Sequence, residues 1–159
     1  MTTIQHAALI DAEPGAVWHL LRQFGVIDTW HPQISECVIE GGKVSGDGGS
    51  IRTLNMVSGE VIHERLLAID NERMTLTYGL SDAALPLEDF SATVGVRALD
   101  DGRRSEFQWQ ASFEGIDEAA ATKYRSLLDQ YILEGIDGLA QHLGSAARAS
   151  HTSMETRPA

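Results

Sequence analysis

The sequence predicts an α+β fold: a curved antiparallel sheet of about seven strands wrapped on one long C-terminal helix. Three observations carry that expectation. Short apolar runs separated by glycine-bearing turns fill the middle of the chain. The run from Ser105 to Phe113 alternates cleanly, with Phe107, Trp109, Ala111 and Phe113 on one side and Glu106, Gln108, Gln110 and Ser112 on the other. That is a sheet with one dry and one wet face. Beyond Asp117 the period changes. Tyr124, Leu127, Leu128, Tyr131, Gly135 and Leu139 recur every three or four positions up to Gly144, the spacing of one helical face. A helix of about 27 residues runs roughly 40 Å, enough to cross a sheet.

Taken in order, Thr3 to Ile10 is expected as the first strand. Asp11 is placed to cap a helix and Pro14 suits its first turn; Val17, Leu20, Leu21 and Phe24 share a face before Gly25 ends it. The stretch Ile27-Asp28-Thr29-Trp30-His31-Pro32 follows at once. Its adjacent tryptophan and histidine are either a core plug or one wall of a binding site. Strands are then expected at Cys37 to Glu40, Ile51 to Val57, Glu60 to Ile69, Met74 to Leu80, Leu87 to Ala98 and Ser105 to Phe113. Asp47-Gly48, Ser58-Gly59 and Asp101-Gly102 supply turns. Residues 1–144 make one domain without repeats or linker, and the small, polar residues from Ser145 onward predict a weakly ordered tail over 145–159.

A bent sheet on a long helix need not close tightly, so its concave face can hold a cavity. Gly135 and Gly138 lie near the packed face of the helix, where each costs about 1 kcal/mol relative to alanine. Close packing against the sheet and room for a ligand explain them equally well.

Composition narrows the function. With 159 residues, 43% of them hydrophobic, the chain can bury a real core or keep a cavity inside it. A formal charge of -11 argues against nucleic acid and anionic membranes as partners. A lone Cys37 forms no intrachain disulfide and reads as a small core residue. Met1 to Ile10 lacks the pattern of a signal peptide, and no segment approaches the roughly 18 apolar residues of a membrane helix. The expectation is a soluble cytoplasmic protein. With no phosphate loop, nucleotide fingerprint, serine elbow or zinc spacing, no cofactor and no metal are expected. His19, His63 and His142 lack companions at metal-ligand spacing, and His6 and His151, near the ends, are expected in solvent.

Val17-Trp18 in the first helix, Trp30-His31-Pro32 after it and the closing helix resemble the START/Bet v 1-like superfamily, in its bacterial polyketide cyclase/dehydrase-like branch. The resemblance covers roughly Thr2 to Leu143 and implies the helix-grip fold. Glu64-Arg65-Leu66-Leu67-Ala68-Ile69-Asp70, Thr75-Leu76-Thr77-Tyr78 and Phe90-Ser91-Ala92-Thr93-Val94 also look like the plant abscisic-acid receptors of that superfamily. Thr29-Trp30-His31 falls where those receptors carry Thr-Tyr-Lys, so the resemblance puts His31 where a lysine reaches a ligand carboxylate. It likewise puts Glu64 on a cavity glutamate and Arg52 on an arginine at the same polar end. Leu54, Met56, Tyr78, Phe90 and Trp109 fall on wall positions, and Tyr131 and Gly135 on the ligand face of the long helix. Trp30, Leu87 and Leu127 complete the expected lining. The chain departs from the receptors at their gate, where Ser58-Gly59 runs into Glu60, and at their latch, replaced by Leu85-Pro86-Leu87. No hormone-gated switch is expected.

Periodicity does not orient Glu64. The row Glu60, Ile62, Glu64, Leu66, Ala68 and the row Val61, His63, Arg65, Leu67, Ile69 are both mixed; the resemblance selects Glu64 over His63 as the inward residue. A buried carboxylate needs a partner or becomes neutral, and His31 and Arg52 are the natural ones. One partner would leave a general base of raised pKa; two would make an inert pair. Tyr78 and Tyr131 bring hydroxyls to an apolar face, where packing or ligand orientation would occupy them. Asp89 alternates away from Phe90, so it should face outward.

The favoured function is binding of a small hydrophobic, aromatic or polyketide-like molecule, with cofactor-free cyclisation or dehydration as its catalytic form. There His31 or Glu64 takes an acidic proton beside a carbonyl, and Arg52 or Tyr78 steadies the enolate. The alternative is a carrier or sensor without chemistry. A subunit whose apolar mouth closes on another protein, and a homodimer, stay open.

Overall fold

The computed structural model describes residues 1–40 and 49–144. Strand β1 (Thr2–Ile10) leads into helix α1 (Pro14–Leu21), and a 3₁₀ segment (Phe24–Thr29) leads on to β2 (Ile34–Glu40). Then come β3 (Ile51–Met56), β4 (Val61–Asp70), β5 (Thr75–Leu80), β6 (Leu87–Leu99), β7 (Arg104–Gly115) and the closing helix α2 (Glu118–His142). The seven strands form one sheet in the order β1-β7-β6-β5-β4-β3-β2, with every neighbouring pair antiparallel. Register shifts at Ile34/Glu36, Leu66/Ala68 and Glu88/Ser91 mark irregularities that bend and twist the strands they sit in. The result is the expected helix-grip architecture.

The alternation of β7 is realised as read: Phe107, Trp109, Ala111 and Phe113 are buried, and α1 and α2 pack against that strand. Asp117 caps α2 by accepting a hydrogen bond from the Ala120 N–H at 2.8 Å. Two details differ from expectation. The first helix ends at Leu21 because Gln23 leaves helical geometry (φ -81°, ψ 85°), so Phe24 and Gly25 open a separate 3₁₀ segment. Its cap position is Glu13, not Asp11. Gly59 and Gly102 do occupy turns at positive φ (96° and 87°). The Asp47-Gly48 turn, His151 and the tail over 145–159 lie outside the described residues.

The bulges explain why β4 defied a two-residue period. Ile62, Glu64 and Leu66 point inward, then the shift between Leu66 and Ala68 lets Ile69 take the inward side. On β6, Asp89 takes a left-handed φ of 52° within the bulged stretch and is exposed, while Phe90 turns back toward the helix side and packs on Tyr78 with ring centroids 6.3 Å apart.

Candidate active site

A cavity of about 400 Å³ lies between the sheet and the N-terminal half of α2. Leu54 and Met56 of β3, Leu87 and Phe90 of β6, and Leu127 and Tyr131 of α2 line it as expected. Tyr124, Leu128 and Ile62 line it too and were not in the expected lining, although Tyr124 and Leu128 share the helical row with Leu127 and Tyr131. Exposed Ser58 and Glu60, with Leu127 48% exposed, mark the mouth. Glu64, only 5% exposed, is the buried carboxylate on its wall.

Arg52 and Glu64 meet because the β3–β4 register sets them directly opposite each other, on one face of the sheet. Arg52 Nε and Nη2 both donate to Glu64 Oε1, at 2.9 and 2.8 Å, and Nη1 donates to the Phe24 carbonyl at 2.9 Å. The guanidinium lies 3.9 Å from the Phe24 ring centroid and 4.9 Å from that of Tyr78. Arg52 is therefore spent on structure and is not among the cavity-lining residues. Burial works against its charge, but the Glu64 carboxylate, Tyr78 and Tyr131 more than offset it, so the Arg52 pKa moves up. Burial likewise dominates at Glu64 and raises its pKa above the ordinary carboxylate range, with Arg52 pulling the other way. Both donors sit on Oε1. Oε2 has no partner among the described residues.

His31 behaves otherwise than expected. It is 1% exposed, and both ring nitrogens are engaged: Nδ1 accepts from the Gln33 N–H at 3.1 Å and Nε2 donates to the Tyr131 carbonyl at 2.9 Å. Those partners fix a neutral tautomer. Burial pushes its pKa down to about 4. The ring stacks on Tyr131 at 4.0 Å and meets Trp109 edge-on at 6.0 Å. It is neither a cavity-lining group nor the partner of Glu64, and it has no lone pair to offer as a base.

The helix glycines answer the remaining question about this end. A Cβ at Gly135 would lie 2.6 Å from Trp109 and 2.7 Å from His31, and one at Gly138 would lie 2.0 Å from the Trp30 carbonyl oxygen. Both are close-packing positions, so Gly135 corrects the expectation of a ligand contact. Trp30 and Trp109 form a plug with His31, their rings 6.1 Å apart, and Trp109 Nε1 donates to the Tyr78 hydroxyl at 3.2 Å. Trp30, Trp109 and Tyr78 are core residues that back the cavity without lining it. Trp30 borders instead a separate hollow beside the C-terminal half of α2.

One further expectation changes. His6 is 2% exposed rather than solvated, with Nε2 2.6 Å from Asp129 Oδ1 across the β1–α2 contact. Cys37 is half-buried, and burial pushes its thiol up to about 11. Tyr131 is buried with a hydroxyl that has no partner among the described residues.

A family profile described as polyketide cyclase/dehydrase and lipid transport matches residues 1–144. The chain belongs to this family. Solved structures agree on the fold. A protein from Thermobifida fusca is 27% identical, with a TM-score of 0.77 over 91% of this chain and 94% of that one. The Zhui aromatase/cyclase from a Streptomyces species is 15% identical, with a TM-score of 0.78 over 90% and 93%. A major latex-like protein from Panax ginseng is 18% identical, with a TM-score of 0.71 over 89% and 96%. Among the described residues no helix is long and apolar enough to cross a membrane.

Proposed function

We propose that this protein binds a small hydrophobic molecule in the cavity under α2 and that Glu64 acts there as the general base of a cofactor-free cyclisation. The observation that carries this reading is the divided Glu64 carboxylate: Oε1 held by Arg52, Oε2 unpartnered on the wall of an apolar cavity of ligand size. Glu64 takes a proton from the carbon beside a ligand carbonyl. The resulting enolate carbon attacks a second carbonyl of the same chain, forming a C–C bond. The new alkoxide then recovers the proton from Glu64 and becomes a hydroxyl. Arg52, occupied by Glu64 and Phe24, is not free to steady the developing oxyanion. The aromatase/cyclase among the structural neighbours is consistent with this chemistry.

Binding is tested with the fluorescent apolar dye N-phenyl-1-naphthylamine. It should saturate at one site per chain, and Met56→Trp, which fills the cavity from β3, should abolish the signal while the circular dichroism spectrum persists. Undiminished dye binding in that variant places the site elsewhere. Chemistry is tested by offering poly-β-ketone thioester mimics and following the cyclised product by absorbance after its β-hydroxy ketone loses water and aromatises in solution. Glu64→Gln should lower turnover by about 10²–10⁴-fold. Dye binding without turnover by the wild type would leave the carrier reading.

A further inference from the structure

We infer that the cavity selects an apolar molecule carrying an uncharged hydroxyl and rejects a carboxylate of the same shape, an assignment that rests on the cavity-binding reading above. The first observation is the charge of the wall. Among the described residues no Lys, Arg or His lines the cavity, whereas two glutamates do, Glu60 at the mouth and Glu64 inside. The nearby cation does not change this. All three Arg52 nitrogens already donate within the protein, and the rings of Phe24 and Tyr78 lie against its guanidinium. An anionic head group would enter a low-dielectric space that offers it a second anion and no free cation, so its desolvation would go uncompensated.

The second observation is what stands unpaired. Glu64 Oε2, on the wall of the cavity, is an acceptor without a donor among the described residues. An uncharged ligand hydroxyl can donate to it. A carboxylate only accepts, and leaves Glu64 unsatisfied. Because Arg52 already balances the Glu64 charge, a neutral donor completes the set and an ammonium group is not required.

The matched pair 2-naphthol and 2-naphthoate, each displacing N-phenyl-1-naphthylamine at pH 7.5, tests the selection. Naphthol should displace the dye at a concentration at least about tenfold below that for naphthoate, as one unmatched buried polar group commonly produces. Glu64→Gln should narrow that gap. Since Glu64→Gln leaves Arg52 unpaired and could unfold, a second ligand tests the wild type: 2-methoxynaphthalene, which keeps the rings and loses the donor, should displace the dye several-fold less well than naphthol. Naphthoate displacing as well as naphthol, with the dye still bound, would overturn the selection and leave the cavity reading standing. Methoxynaphthalene displacing as well as naphthol would likewise overturn it. Failure of the dye itself to bind would remove the cavity reading and this inference together.

Discussion

The two halves of α2 treat the same concave sheet in opposite ways. The C-terminal half presses Gly135 and Gly138 onto His31, Trp109 and the Trp30 carbonyl so closely that no side chain fits between. The N-terminal half holds Tyr124, Leu127 and Leu128 above a space of about 400 Å³. Tyr131 lies where they meet: its ring stacks on His31, and the residue also lines the cavity. The polar groups divide along the same boundary. His31, on the closed side, has every nitrogen satisfied; Glu64, on the open side, keeps one oxygen unpaired. A histidine and a glutamate that sequence offers as alternative bases, the histidine first, thus end with opposite chemistry, because packing consumes one and leaves the other incomplete.

The comparison is broken most severely through the pair at the open side. Arg52→Met leaves the buried Glu64 carboxylate without its cation and should cost about 3–5 kcal/mol at neutral pH in urea unfolding. Without Arg52, burial alone raises the Glu64 pKa further. The folded state then binds a proton that the unfolded state lacks, so the loss should shrink as pH falls toward 5. A loss independent of pH would mean that Glu64 is not the group left exposed by the change.

On the closed side, Gly138→Ala adds a methyl group against backbone. Helix propensity alone would gain about 1 kcal/mol, yet overpacking at the upper end of its usual range of about 3 kcal/mol should win and leave a net loss of about 2 kcal/mol. A variant at least as stable as the wild type would show that the helix does not seat on Trp30 as described.

His31 sharpens the contrast through pH. Its folded pKa of about 4 lies below the ordinary 6.5, so the folded state binds fewer protons than the unfolded chain between those values. Stability contributed by neutral His31 is complete above pH 6.5 and declines as pH falls toward 4, by about 3 kcal/mol in all. His31→Gln should be less stable at pH 7, and its deficit should diminish at pH 4.5. A constant deficit would mean that the folded and unfolded chains bind the His31 proton alike.

The smallest effect belongs to the mouth. Leu127, 48% exposed, should tolerate Leu127→Ser within about 0.5 kcal/mol of stability, while dye affinity in the cavity falls measurably.

Much of this was legible in the chain. The β7 alternation, the helical row from Tyr124 to Leu139 and the glycine-bearing turns are local patterns, and local patterns fix which residues share a face. They were enough for the architecture. Leu54, Met56, Leu87, Phe90, Leu127 and Tyr131 were named as lining and do line the cavity. Family resemblance, rather than periodicity, chose Glu64 over His63, because the irregularity near Leu67 had scrambled the two rows of β4.

What the linear sequence determined, then, was the set of faces: which side chains point together. The tertiary structure alone decided how near those faces come. The approach of α2 to Trp30 made Gly135 and Gly138 packing sites, and the contact of His31 with the Tyr131 carbonyl made it a structural histidine. The β3–β4 register gave Arg52 to Glu64. Alternation and helical period repeat over a few residues, whereas each of these contacts joins elements far apart in the chain, at distances where a few tenths of an ångström separate a filled core from a site.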